Sequence, residues 1–156
     1  MVMLQVPDAE QVERWLRQAG IHYYVCDQCH GLHLSELQGR DGVLDSRLFV
    51  EQDSLLLTTE LELRPAMMLL VMADTARLNM TWSSLKVFVD VDDDTLPRLV
   101  ACDLLLTGAG VHFDQFLDFL RINIDSTAQL LDECIQLDYL YSGDLPPPSG
   151  NQDALH

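Results

Sequence analysis

The run Cys26-Asp27-Gln28-Cys29-His30 carries the residue types and spacing best suited to direct chemistry. Two thiols separated by two residues can close a reversible disulfide, or share a soft cation with an imidazole. The run also matches the Cys-x-x-Cys-His pattern of c-type haem attachment. Context weighs against haem, which is attached after export. The opening Met-Val-Met-Leu-Gln-Val-Pro-Asp shows neither a basic n-region nor a long apolar stretch with a cleavage site. Zinc fits better, with Cys26, Cys29 and either His30 or His33 as three ligands from one hairpin. A structural zinc site usually takes four, however, and Cys102 and Cys134 stand alone. Thioredoxin-type redox chemistry would want the pair at a helix N-terminus, which the pattern lacks. The first expectation is therefore that these cysteines pack as small hydrophobes at a turn. No catalytic, cofactor-binding or metal-ligating residue is assigned, and a zinc- or thiol-redox-sensing domain using Cys26 and Cys29 is the alternative.

Other candidates are weaker. Asp90-Val91-Asp92-Asp93-Asp94 has the alternating acids of a calcium loop, but Thr95 replaces the glycine and Ala101 the bidentate glutamate that an EF-hand needs. It reads as a solvated hairpin tip. No Gly-x-Ser-x-Gly elbow, phosphate-cradling glycine loop or His-Glu-x-x-His helix is present. His22, His30, His33, His112 and His156 are scattered, so no enzyme is expected. Met67, Met68, Met72 and Met80 could line an adaptable binding surface, although core filling is their first reading. Trp15 and Trp82 likewise read as packing residues before interface anchors.

The elements that must position these residues follow from periodicity. Asp8 with Gln11 makes a capping-box start, Val12, Trp15, Leu16 and Ala19 repeat at helical spacing, and Gly20 is the stop. Ile21, Tyr23 and Val25, a turn over Asp27–Gly31, then Leu32 and Leu34 predict a hairpin. Leu44–Val50 and Leu55–Leu63 read as two further antiparallel strands. In the second, Leu55, Leu57, Thr59, Leu61 and Leu63 oppose Thr58, Glu60 and Glu62. Pro65 opens a helix over Ala66–Leu78 that is apolar on nearly every side, which predicts a central position. Leu85–Asp92 and Arg98–Leu106 form a second hairpin. The last helix, His112–Tyr139, carries one stripe of Phe113, Phe116, Leu117, Leu120, Ile124, Ala128, Leu131 and Ile135. A second stripe of Phe119, Ile122, Leu130 and Leu137 would need a partner surface, as in a symmetric dimer. The sum is an α+β chain in the order α-ββββ-α-ββ-α, a twisted antiparallel sheet with helices packed on it. Residues 1–141 are read as one domain, and 142–156, with Pro146-Pro147-Pro148, as a disordered tail.

The 156 residues are 48% apolar, enough for a core without disulfides or metal, so no cofactor is expected. Twenty-five acidic against nine basic side chains give a formal charge of -16, and Lys86 is the single lysine. That field repels phosphate backbones and anionic lipids, so neither nucleic acid nor a membrane is an expected partner. The apolar run 65–73 is far too short to cross a bilayer, which needs about 20 residues. A soluble, cytoplasmic chain with reduced thiols is expected, steering protein partners that carry basic patches.

Three stretches carry a family resemblance: Tyr23-Tyr24-Val25-Cys26-Asp27-Gln28-Cys29-His30-Gly31-Leu32-His33-Leu34, Leu63-Arg64-Pro65-Ala66, and Asp92-Asp93-Asp94-Thr95-Leu96-Pro97-Arg98-Leu99-Val100. Over about 6–141 the chain resembles the YbjN family of bacterial sensory transduction regulators, in the enterobacterial form that includes the amylovoran regulators. The resemblance implies a fold similar to class I type III secretion chaperones, without making this chain one. It also implies a homodimer and a noncatalytic part in regulating exopolysaccharide production, motility, virulence and stress responses. It supplies no catalytic or ligand residue, and the haem-like His30 is the one departure noted.

Overall fold

A computed structural model describes residues 3–141. The expected disordered tail, 142–156, lies outside the described residues. Helix α1 (Ala9–Gln18) starts where Asp8 accepts a hydrogen bond from the Gln11 N–H at 2.8 Å, and Gly20 ends it with a φ of +71°. Only half of the capping box forms, because the Gln11 side chain turns to Arg14 instead.

Strands β1 (Tyr23–Val25), β2 (Leu32–Leu34), β3 (Val43–Val50) and β4 (Ser54–Glu62) form a meander. Strands β5 (Lys86–Asp90) and β6 (Arg98–Leu106) add a hairpin, giving one antiparallel sheet in the order β1-β2-β3-β4-β6-β5. This is the expected α+β architecture. Sequence reading missed two short pieces: a helical turn α2 (Ser35–Gln38), which buries Leu37 beside β3, and a 3-10 turn at Pro65–Met67.

Alternation along β4 decides the layering. Leu55, Leu57, Thr59 and Leu61 point into the core with Ser46 and Leu48 of β3 and Leu99 and Ala101 of β6. Buried Ser46 and Thr59 satisfy each other at 2.9 Å. The opposite face carries Asp45, Arg47, Thr58, Glu60, Arg98 and Cys102, so polar chemistry gathers there.

Two expectations about helices change. The last helix, α4 (Phe113–Gln136), stops short of Tyr139, since Asp138 takes a φ of +58° and Leu140 bridges back to Leu63. Its buried stripe is Phe116, Phe119, Leu120, Asn123, Ile124, Thr127, Leu130, Leu131 and Cys134. Phe119 and Leu130, assigned to a partner-facing stripe, therefore belong to the core, while Ile122, Ile135 and Leu137 stay exposed. Asn123 can join because its amide donates to Asp103 and to the Phe119 carbonyl.

The apolar helix α3 (Met68–Thr81) is not central. It packs beside the edge strand β5 and buries Val71 and Leu78 alone. It covers only the β5 end of the sheet, where Val71 and Leu78 join Leu61, Val87 and Leu99 and the α4 residues Leu130 and Leu131, while α1 and α4 cover the rest of the inner face. Asp74 accepts two hydrogen bonds from Arg77 and one from Tyr139, and Arg77 reaches Glu133, so this group fastens α3 to α4. The Arg77 hydrogen bonds are the largest influence on Asp74 and outweigh its desolvation, holding its carboxyl below the ordinary value. A depressed folded-state pKa means stabilisation present above the unfolded value and lost as pH falls through the folded one. Asp74→Asn should therefore cost about 1 kcal/mol near neutrality, allowing for the exposure of Arg77. Urea midpoints of variant and parent should converge at acid pH.

Candidate functional site

Among the described residues, Cys26, Cys29 and His33 form the group of three metal-competent side chains, with donor atoms all within 4.8 Å of one another. The β1–β2 register explains it. Tyr24 pairs with His33 and Val25 with Leu32, so period two places Tyr24, Cys26 and His33 on the same face of the hairpin. The intervening turn folds Cys29 back. The two sulfurs lie 3.1 Å apart, and His33 Nε2 sits 3.2 Å from each. Of the two candidate histidines, the fold thus selects His33; His30 lies outside the group.

The imidazole is fixed from every side. His33 is buried, Tyr24 stacks on it at 4.6 Å between ring centroids, and its Nδ1 meets Asp45 Oδ1 at 2.9 Å. Arg47 pairs with Asp45 at 3.2 Å and reaches Glu60, which also pairs with Arg98, and Arg98 with Asp90. An alternating chain of charge therefore runs from the thiol cluster across the polar face to the far strand. Sequence reasoning missed Asp45 because it reaches His33 only through the β2–β3 register.

Electrostatics distinguish Cys26 from Cys102 and Cys134. Hydrogen bonds from Cys29 and then His33 lower the Cys26 thiol to about 7, toward the reactive and metal-binding thiolate. Burial pulls His33 down, but its bonds to Cys26 and Asp45 and the Asp45 charge raise it on balance. Burial pushes Cys134 up to about 12 and also raises Cys102, which leaves both as inert packing residues. The expectation that Cys26 and Cys29 are merely packers does not account for this arrangement.

The second feature is a surface. Pro65, Ala66, Leu69, Met72, Ala73, Ala76 and Met80 are exposed along one side of the 3-10 turn and α3, opposite buried Val71 and Leu78. Leu69 is 73% and Met80 82% exposed. The only charged side chains of α3, Asp74 and Arg77, flank this stripe and are engaged with each other. No helix among the described residues is long and apolar enough to cross a membrane.

A six-stranded antiparallel sheet with helices packed on it defines an α+β protein. Residues 8–136 match the family model described as "Putative bacterial sensory transduction regulator". The chain belongs to the YbjN family. It is 33% identical over 133 residues to the uncharacterized protein YbjN of Escherichia coli K12, covering 85% of this chain and 84% of that one. Similarity to the Shigella flexneri protein is the same. The crystal structure of E. coli YbjN superposes with a TM-score of 0.86 at 31% identity, covering 90% of this chain and 99% of the other.

Proposed function

We propose that this chain is a noncatalytic cytoplasmic regulator that acts through protein–protein contacts and forms a homodimer. The observation that carries the reading is the apolar stripe of Leu69, Met72, Ala73, Ala76 and Met80, turned outward from a fold whose core is complete without it. Flexible Met side chains suit a surface that adapts to its partner. Kinship with a regulator family supports the same reading. E. coli YbjN is described as "a putative transcription regulator". With a formal charge of -16, this chain would influence transcription through a protein rather than by gripping DNA.

The finer reading is a single domain over residues 1–141, a fold akin to class I type III secretion chaperones, and the regulation of exopolysaccharide production, motility, virulence and stress responses as in the amylovoran regulators. It rests on the family resemblance. Partners are proteins with basic patches, steered by the acidic field, not nucleic acid or membrane. The test is to capture the partner with the full chain and measure association at low and high ionic strength, with light scattering for self-association. Salt should slow association, and the chain should scatter as a dimer at micromolar concentration. A monomer throughout would refute the dimer, a salt-independent on-rate the steering, and turnover abolished by one substitution the noncatalytic reading. A second reading, a zinc- or thiol-sensing domain, is favoured by the convergence of Cys26 and Cys29 on His33.

A further inference from the structure

We propose that Cys26, Cys29 and His33 bind a divalent cation of the zinc class, with Asp45 as the residue that positions His33 for it. The inference rests on the second reading above and gives it a ligand, a donor set and a tautomer.

Donor type comes first. Two sulfurs and one imidazole nitrogen are borderline-soft ligands, the set that selects zinc over calcium or magnesium. Orientation comes next. Asp45 lies 2.9 Å from Nδ1 and is the acceptor for the N–H there, so once Nε2 gives up any proton to a binding cation its lone pair is aimed toward both sulfurs, 3.2 Å away. A carboxylate behind a ligating histidine fixes its tautomer and raises its basicity, the arrangement that recurs behind zinc-bound imidazoles. A carboxylate is not needed behind a histidine that merely fills space. Arg47 and the stacked Tyr24 hold Asp45 and the ring in that pose. The three donors therefore converge on one point without rearrangement of the hairpin.

The fit is close. Zinc bonds of about 2.3 Å to sulfur and about 2.0 Å to nitrogen, at tetrahedral angles, separate donors by roughly 3.6–3.8 Å. The donors, now 3.1–3.2 Å apart, need to spread by about half an ångström. Cys26 and Cys29 are only half buried and sit in a turn next to the edge strand β1, so side-chain rotation can supply that. Binding releases to solvent the thiol protons and any proton held at His33 Nε2, and no bond is oxidised or reduced. Three protein ligands leave a fourth tetrahedral position for water or an incoming donor, the feature that separates exchangeable sites from closed structural ones.

The full chain, purified reduced and without chelator, should carry about one zinc per molecule. Titrated with cobalt(II), the metal-free chain should develop a thiolate-to-cobalt charge-transfer band together with the strong visible absorption of tetrahedral cobalt. Cys26→Ser with Cys29→Ser should abolish the band. Asp45→Asn should weaken cobalt affinity about 10–100-fold, with circular dichroism of the metal-free chain unchanged. His33→Ala, which leaves the thiols in place, should lose the tetrahedral signature even if the double serine variant folds poorly. Substoichiometric zinc with no cobalt band in the reduced chain would overturn the site. Zinc retained equally by the double serine variant would overturn it too, by locating the metal elsewhere. A Cys26–Cys29 disulfide forming in a chain that binds no metal would overturn the metal site while leaving the thiol-sensing reading standing.

Discussion

Phe116→Ala should destabilise the fold by about 3–5 kcal/mol, against a loss within about 0.5 kcal/mol for Ile122→Ala on the same helix. Phe116 is fully buried and lies where α1 and α4 meet, its ring centroid 5.1 Å from that of Trp15, within a cluster that includes Leu16, Leu34, Leu48 and Leu55. Truncation removes the ring's burial and leaves a cavity that neighbours from four elements cannot all collapse into. Ile122 is more than half exposed on α4 and gives up little. Against a total stability of about 5–15 kcal/mol, the first change removes a large share. Urea unfolding with an unchanged slope and a lowered midpoint is the expected record. Equal losses at 116 and 122 would mean that α4 is rolled about its axis relative to the stripe described here.

That pair of sites also marks how far the sequence could be read. The alternation of β4 is plain in the sequence because Leu55, Leu57, Thr59 and Leu61 alternate with a row that ends in Thr58, Glu60 and Glu62, and one side of an antiparallel strand can face water. The periodicity of α4 predicts a helix, but its buried face includes Phe119 and Leu130 from the other predicted stripe. Asn123 and Thr127 lie buried on that face, and a search for apolar residues drifts away from polar ones, although the Asn123 amide N–H groups find acceptors inside. Helix α3 misled in the opposite way. Apolar side chains all round predict burial, but only its Val71 and Leu78 side is covered, and no local pattern records which element reaches the sheet first. At the thiol cluster, Cys26 and Cys29 were visible as a motif. The choice of His33 over His30 needed the hairpin register, and Asp45 needed the pairing of β2 with β3. Local spacing announces a motif, whereas the residue that orients it arrives through long-range pairing.

Ala76→Glu should leave the fold intact and weaken association through α3 about 100-fold or more. Ala76 is exposed at the middle of the stripe between Leu69 and Met80, and Glu is a good helix former, so the isolated chain should lose no more than about 0.5 kcal/mol. In a complex the new carboxylate would be buried among Leu69, Met72, Ala73 and Met80 with no cation in the stripe to pair it. An unpaired charge there costs about 3 kcal/mol or more, which corresponds to a factor of roughly 100 in Kd. If the partner is a second copy across a two-fold axis, both copies carry the charge and repel, so the loss should be larger. Leu69→Ala and Met80→Ala, which remove anchors without adding charge, should each cost about tenfold. Ile122→Glu on the exposed side of α4 should cost nothing, because Phe119 and Leu130, once grouped with it, face inward. The measurements are the dimer dissociation constant by light scattering and the affinity for a captured partner, with thermal melts of each variant alongside. Unchanged association in Ala76→Glu, with lost association in Ile122→Glu, would move the interface from α3 to α4 and restore the two-stripe reading of the last helix.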